Sequence, residues 1–289
     1  MKPPILLPRL FVAATLALWL AAMAAGAQTP VTTQPAPPQG QVFKLLDVAA
    51  ELDQLSVNVA ARLAEQRDKF PAELYAHLQA AAQEAFEGKG LRAEFLRNLE
   101  RDLSSRDAKE CVEFLASPLA KKLTDLEAGL SGPEASARAS EFARTLKPDA
   151  KGSARKALVQ RQIDRSDAVD SYVRRSRYMS IALHQSVSRI LPPEQRPSRE
   201  EFDRQLAELD RQLRPAFRTE LTSLLLFAYR SVPDTELQAA IAFYESRAGQ
   251  ALRSSLQRSG TETFESATKL MAESFERRVG TAAKPAVDW

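Results

Sequence analysis

The chain has 289 residues, 40 of them Lys or Arg and 37 Asp or Glu, with two His and a single Cys. One cysteine excludes an intramolecular disulfide and any motif built on paired cysteines. A chain of this length buries an adequate core without such staples, and a formal charge of +3 is too small to mark a nucleic-acid surface.

Residues 1–27 have the three parts of a secretory signal. Lys2 and Arg9 make a positive start, and no acidic residue precedes Asp47. The apolar run Leu10–Ala25 is shorter than the ~20 residues that span a bilayer. Ala25, Gly26 and Ala27 form an A-x-A site, which predicts cleavage after Ala27 and a periplasmic or secreted mature protein. Retention of the run as a membrane anchor is the alternative. No cysteine follows the run, so a lipid anchor there is excluded. Cleavage removes two of the 40 basic residues and no acid, leaving 38 against 37, or +1, and the computed pI near 9.0 loses its meaning. Arg174, Arg175 and Arg177 are a local cluster, but Asp164, Asp167 and Asp170 nearby predict a salt-bridged face.

Residues 28–41 (QTPVTTQPAPPQGQ) are rich in Pro, Gln and Thr and read as an extended linker. Helical periodicity then takes over. Leu45, Val48, Leu52, Leu55, Val59 and Leu63 form one apolar stripe, broken at Phe70-Pro71. A second helix carries Leu74, Leu78, Ala81, Ala85 and Phe86 and is expected to end on Gly88 and Gly90 as C-caps. A third carries Leu91, Phe95, Leu99 and Leu103, and Ser104 with Asp107 resembles a capping box for the helix bearing Cys111 and Leu115. Ser131 with Glu134 makes a further box. A long helical stretch with Val169, Tyr172, Met179 and Leu183 runs to Pro192-Pro193. Ser198 and Glu201 open a helix through Leu213, and another carries Leu221, Leu224, Leu225 and Tyr229. Pro233-Asp234 starts a helix through Leu237, Ile241, Tyr244 and Leu252, and Ser259 with Glu262 caps a last one. The expected fold is all-α, an antiparallel bundle or array in two related halves.

Those halves are read from a repeat. FLASPLAKKL (Phe114–Leu123) aligns with FYESRAGQAL (Phe243–Leu252) at an offset of 129, with Phe114/Phe243, Ser117/Ser246 and Leu123/Leu252 identical. The register extends to Ala108/Leu237, Val112/Ile241 and Phe95/Leu224. A looser match sets Asp47, Leu52, Asp53 and Leu55 against Asp164, Val169, Asp170 and Tyr172. The predicted organisation is signal 1–27, linker 28–41, first repeat 42–130, connection 131–153, second repeat 154–283 and tail 284–289. As a packing or groove motif, Phe243 and Tyr244 would anchor a helix contact, Gly249 would admit a close backbone, and Ser117-Pro118 would restart a helix.

The segment FYESRAGQAL, with SRILPPEQ and LTSLLLFAYRSV before it, resembles the bacterial domain of unknown function 2059. Phe243, Tyr244, Ser246 and Gly249 match that family's Phe-Tyr-x-Ser-Pro-x-Gly helix; Arg247 stands where it has Pro, and Ala251 where it has Lys. The first half keeps Ser117-Pro118 and Lys121-Lys122 with Leu115 for Tyr and Ala120 for Gly. The resemblance implies an exported helical domain and no catalytic residue.

Nothing in the sequence asks for a cofactor, a metal or a catalytic set. The histidines are His77, one turn from Glu73, and His184, which make half a metal site at most. Asp47, Asp53, Asp164 and Asp170 would give a carboxylate pair only if the repeats faced each other. Cys111 reads as a buried small hydrophobe. The leading expectation is a non-catalytic binding or scaffolding protein of the envelope. Its partner would be another envelope protein, with no nucleic acid and no membrane span after cleavage. The alternatives are a carrier of an apolar ligand or lipid, around Tyr244, Phe217 or Met179, and a carboxylate-dependent envelope hydrolase.

Overall fold

In a computed structural model, the described residues are 37–281 except 66, 131–132, 146–148 and 189–197. The signal, most of the linker, Ser131, Pro192-Pro193 and the tail lie outside them. The fold is all-α. Among the described residues the helices are α1 (Pro38–Leu45), α2 (Val48–Ala64), α3 (Ala72–Ala85), α4 (Gly88–Asp102), α5 (Ser105–Leu115) and α6 (Pro118–Ala128). They continue as α7 (Pro133–Thr145), α8 (Ala150–Ser166), α9 (Ala168–Ser188), α10 (Arg199–Ala228), α11 (Asp234–Glu245) and α12 (Arg247–Thr281). Short 3-10 turns cover Arg67–Lys69 and Tyr229–Ser231.

Several elements differ from the sequence expectation, each for a local reason. Pro38–Gln41 is not linker but the first turn of α1, with Pro38 where a missing N–H costs nothing and Gln39 buried by the contacts of its amide. The first stripe is cut at Asp47, which takes a left-handed conformation (φ 50°), so α1 and α2 are separate and Leu45 is left exposed. Asp167 (φ 60°) cuts the later long stretch into α8 and α9 in the same way. Gly88 and Gly90 lie in the first turn of α4 rather than capping α3, which ends on Phe86. Leu213 and Leu221 belong to one helix, α10, which runs on through Pro215. The helix from Asp234 does not reach Leu252; it stops at Ser246. Ser259 caps nothing, because α12 passes through it with the hydroxyl fully buried. The boxes at Ser104/Asp107 and Ser198/Glu201 do form, the latter reciprocally.

The chain divides into two compact units that do not coincide with the predicted halves. One, within the described residues, is built from 32–115, 170–210 and 247–289. There α12 lies against α3, α4 and α5, while α1 packs on α5 and α4, and α2 on α3 and α4. Its core includes Leu52, Leu78, Phe86, Leu99, Leu103, Cys111, Phe264, Met271 and Phe275. The other is built from 116–169 and 211–246. There α11 packs on α8 and α6 around Leu123, Val159, Ile163, Leu224, Tyr229, Leu237 and Ile241. The sequence repeat lies across this division: α12 follows α11 in the chain but belongs to the unit of α1–α5.

Candidate functional site

The motif residues sit at two helix corners of matching form. In the first, α5 ends at Leu115 and α6 begins at Pro118; Ser117 between them is extended (φ −69°, ψ 153°). In the second, α11 ends at Glu245 and α12 begins at Arg247, with Ser246 extended in the same way (φ −67°, ψ 165°). The hydroxyls act differently. Ser117 Oγ accepts from the Ala120 N–H at 3.2 Å and caps the following helix. Ser246 Oγ donates to the Phe243 carbonyl at 2.6 Å and closes the preceding one. The restart at Pro118 is as the sequence implied, since a residue before proline avoids helical dihedrals.

Burial follows the 129-residue register at several paired positions, although Val112 is half-buried where Ile241 is buried. Ala108 and Leu237, Cys111 and Ala240, Leu123 and Leu252, and Phe95 and Leu224 are buried pairwise. Phe114, Phe243 and Tyr244 are half-buried. Phe243 and Tyr244 rest edge to face at 5.4 Å, while the inward face of α11 is Leu237, Ala240 and Ile241. Gly249 is buried in the first turn of α12, where the Cys111 thiol reaches the Ala248 carbonyl at 3.5 Å.

Each corner is preceded by a buried extended residue whose carbonyl is clamped. Leu103 (φ −102°, ψ 116°) offers its carbonyl to the Gln39 amide of α1 at 2.9 Å. Val232 (φ −85°, ψ 126°), 129 residues on, offers its carbonyl to the Arg155 guanidinium of α8 at 2.8 Å. Gln39 also reaches Ser105 Oγ, and Arg155 pairs with Asp234, again 129 residues later. Nothing in the sequence distinguished Gln39 or Arg155; a polar side chain at a helix start reads as solvent-facing unless the carbonyl it serves is known.

Ion pairs engage part of the chemistry that the sequence singles out. Asp53 pairs with Arg92, and Asp164 pairs with Arg218 at 2.5 Å. Asp47 is a bend residue whose carboxyl burial pushes its pKa up. His77 lies 3.9 Å from Glu73, as expected from their spacing. His184 is stacked on Phe202 with ring centroids 3.7 Å apart, and burial disfavours its charged form. Arg247 pairs with Asp107 and, at 2.7 Å, with Glu110 on α5. Burial pushes the Cys111 thiol up to about 12, which makes it a poor nucleophile at neutral pH.

Glu127 on α6 is a carboxyl whose pKa is raised. Loss of solvent raises its pKa and the hydrogen bond from the buried Tyr229 hydroxyl lowers it. Tyr229 is pushed up in turn by burial and then by Glu127. Glu220 is raised by burial while Ser136 donates to it at 2.9 Å. The sequence shows Tyr229 only as a core residue, and nothing in it singles out Glu127. Phe217 is buried in the same unit, and the side chain of Met179 lies outside those described. Among the described residues, no group of three or more His, Cys, Asp or Glu is placed to hold a metal ion. No helix among them is long and apolar enough to cross a membrane.

Comparison with family models, curated proteins and solved structures returns no match.

Proposed function

We propose that the chain is an exported, non-catalytic helical protein of the cell envelope that binds or scaffolds another envelope component. One observation carries this reading: several of the polar groups singled out by type or perturbation join one helix to another. Gln39 and Arg155 clamp carbonyls. Asp53, Asp107, Asp164 and Glu236 pair with basic residues of other helices. Glu127 accepts from a buried tyrosine. Of the carboxyls a hydrolase could use, Asp53 and Asp164 are each paired with an arginine of their own unit. The signal-like first 27 residues and the resemblance to an exported helical family supply the address.

Binding is supported by apolar side chains left outside the core. Among the described residues the exposed large apolar side chains are Val57 at 58%, Leu45 at 41% and Leu270 at 37%. A photo-crosslinking residue in place of Val57, in cells producing the full chain, tests this. The expected result is one reproducible adduct in the envelope fraction, absent when the probe replaces buried Leu78. Diffuse labelling, or none, overturns the reading.

A further inference from the structure

We propose that α6 and α7 form a proton-gated flap on their unit, seated while Glu127 and Glu220 carry protons and released as the two carboxyls ionise. All the residues of this gate belong to the unit of 116–169 and 211–246. Two hydroxyl-to-carboxyl contacts cross from the flap to the body of that unit. Tyr229, in the turn after α10, donates to Glu127 of α6. Ser136 of α7 donates to Glu220 of α10 at 2.9 Å. A single ion pair, Lys122 with Glu236 at 2.6 Å, joins α6 to α11 beside them.

Placement makes ionisation costly at both carboxyls. Glu127 is the last residue but one of α6, where a carboxylate meets the negative end of the helix. The phenol it faces belongs to a residue only 1% exposed, and one hydroxyl does not replace the water that a carboxylate loses. Burial is the largest influence on Glu127 and on Glu220 and raises both; the smaller opposing effects are those of Tyr229 and Ser136. Beyond Tyr229 lies the Tyr244 phenol of α11. Basic side chains of the surrounding elements are bound elsewhere. Lys121 pairs with Asp125, Arg218 of α10 with Asp164, and Arg155 of α8 with Asp234 and the Tyr229 and Val232 carbonyls.

A carboxyl raised in this way supports the seated flap below its ordinary value of 4.5, and the support is lost as pH rises through the value it has when seated. The contact of α8 with α11 in the same unit responds with the opposite sign. Glu245 of α11 is held low by the hydrogen bonds of Arg161, at 2.9 and 2.7 Å, and then by that of Arg165 at 2.8 Å. That contribution is present above the ordinary carboxylate value and lost on acidification. Rising pH therefore loosens α6 and α7 while α8 and α11 stay joined. Leu123, Leu130, Ala135 and Ala139 are buried in the seated flap, and release brings them into water.

Hydrogen exchange of the native chain, followed by mass spectrometry from about pH 4.5 to about pH 8 and corrected for intrinsic exchange rates, tests the gate. Peptides of α6 and α7 are expected to lose protection by about tenfold or more across that range, relative to peptides of α8 and α11. Glu127→Gln/Glu220→Gln stands in for the protonated pair and is expected to hold that ratio within about twofold. Tyr229→Phe removes the donor that favours the charged form of Glu127, so the loss is expected to continue to higher pH than in wild type. A wild-type ratio that does not change with pH overturns the proposal. So does a loss of wild-type size in the double glutamine variant, or a Tyr229→Phe profile that ends at lower pH than wild type.

Discussion

Replacing Gln39 by Leu removes one donor and little volume. The amide is the partner the structure gives to the Leu103 carbonyl, at 2.9 Å, and both residues are buried, at 6% and 0% exposure. A buried carbonyl left without its donor costs about 1–3 kcal/mol. Hydrogen exchange followed by mass spectrometry reads that cost locally, which matters in a chain of two units where a single melting point has no clear meaning. Amides of α4 and α5 around Leu103 are expected to lose protection by about 5- to 150-fold, the equilibrium factor for that energy. Arg155→Met is expected to do at least as much around Val232, because a charged donor leaves the Tyr229 and Val232 carbonyls together. Peptides in the unaltered unit serve as the reference. Protection within twofold of wild type in both variants would refute the argument that these clamps organise the corners.

Glu127 gives a pH signature of opposite sign to an ordinary surface acid. Its folded pKa is raised by burial, so its contribution is present below the unfolded value and lost as pH rises through the folded one. Glu127→Gln is therefore expected to gain stability against wild type from pH 4 to pH 7 in urea melts; a constant difference contradicts this. Glu84 is lowered by the Ser274 hydroxyl and then by Arg278, so its contribution is present above the unfolded value and lost on acidification. Glu84→Gln should weaken the protein at pH 7 and converge with wild type as pH falls through the carboxylate range. The Cys111 thiol, buried and pushed up to about 12, should resist Ellman's reagent in the native protein and react fully in urea. Leu252→Ala should cost about 2–5 kcal/mol, read as lost protection in α12.

Periodicity was enough to see helices almost everywhere, and the buried face of α2 is the stripe the sequence predicts: Val48, Leu52, Leu55, Val59 and Leu63. Helix ends were less legible where one side chain decides them. Asp47 and Asp167 turn the chain through a left-handed conformation that aspartate tolerates but does not advertise. Ser259 carries the cap pattern of Ser198, yet it is buried in the middle of α12 and its box never forms. The corners were visible as a motif at a fixed spacing. The buried face of the helix before the second corner was legible at Leu237 and Ile241 from their spacing, whereas Ala240 carries no signal of its own. Membership of the two units lay beyond any local pattern, since Arg247 and Asp107 meet across 140 residues of chain.

Export is the premise on which the proposed function rests, and the mature N-terminus tests it most directly. The native protein, isolated by fractionation and read by mass spectrometry of its N-terminal peptide, is expected in the envelope or secreted fraction beginning at Gln28. A chain recovered from the cytosol with residues 1–27 still attached would contradict it.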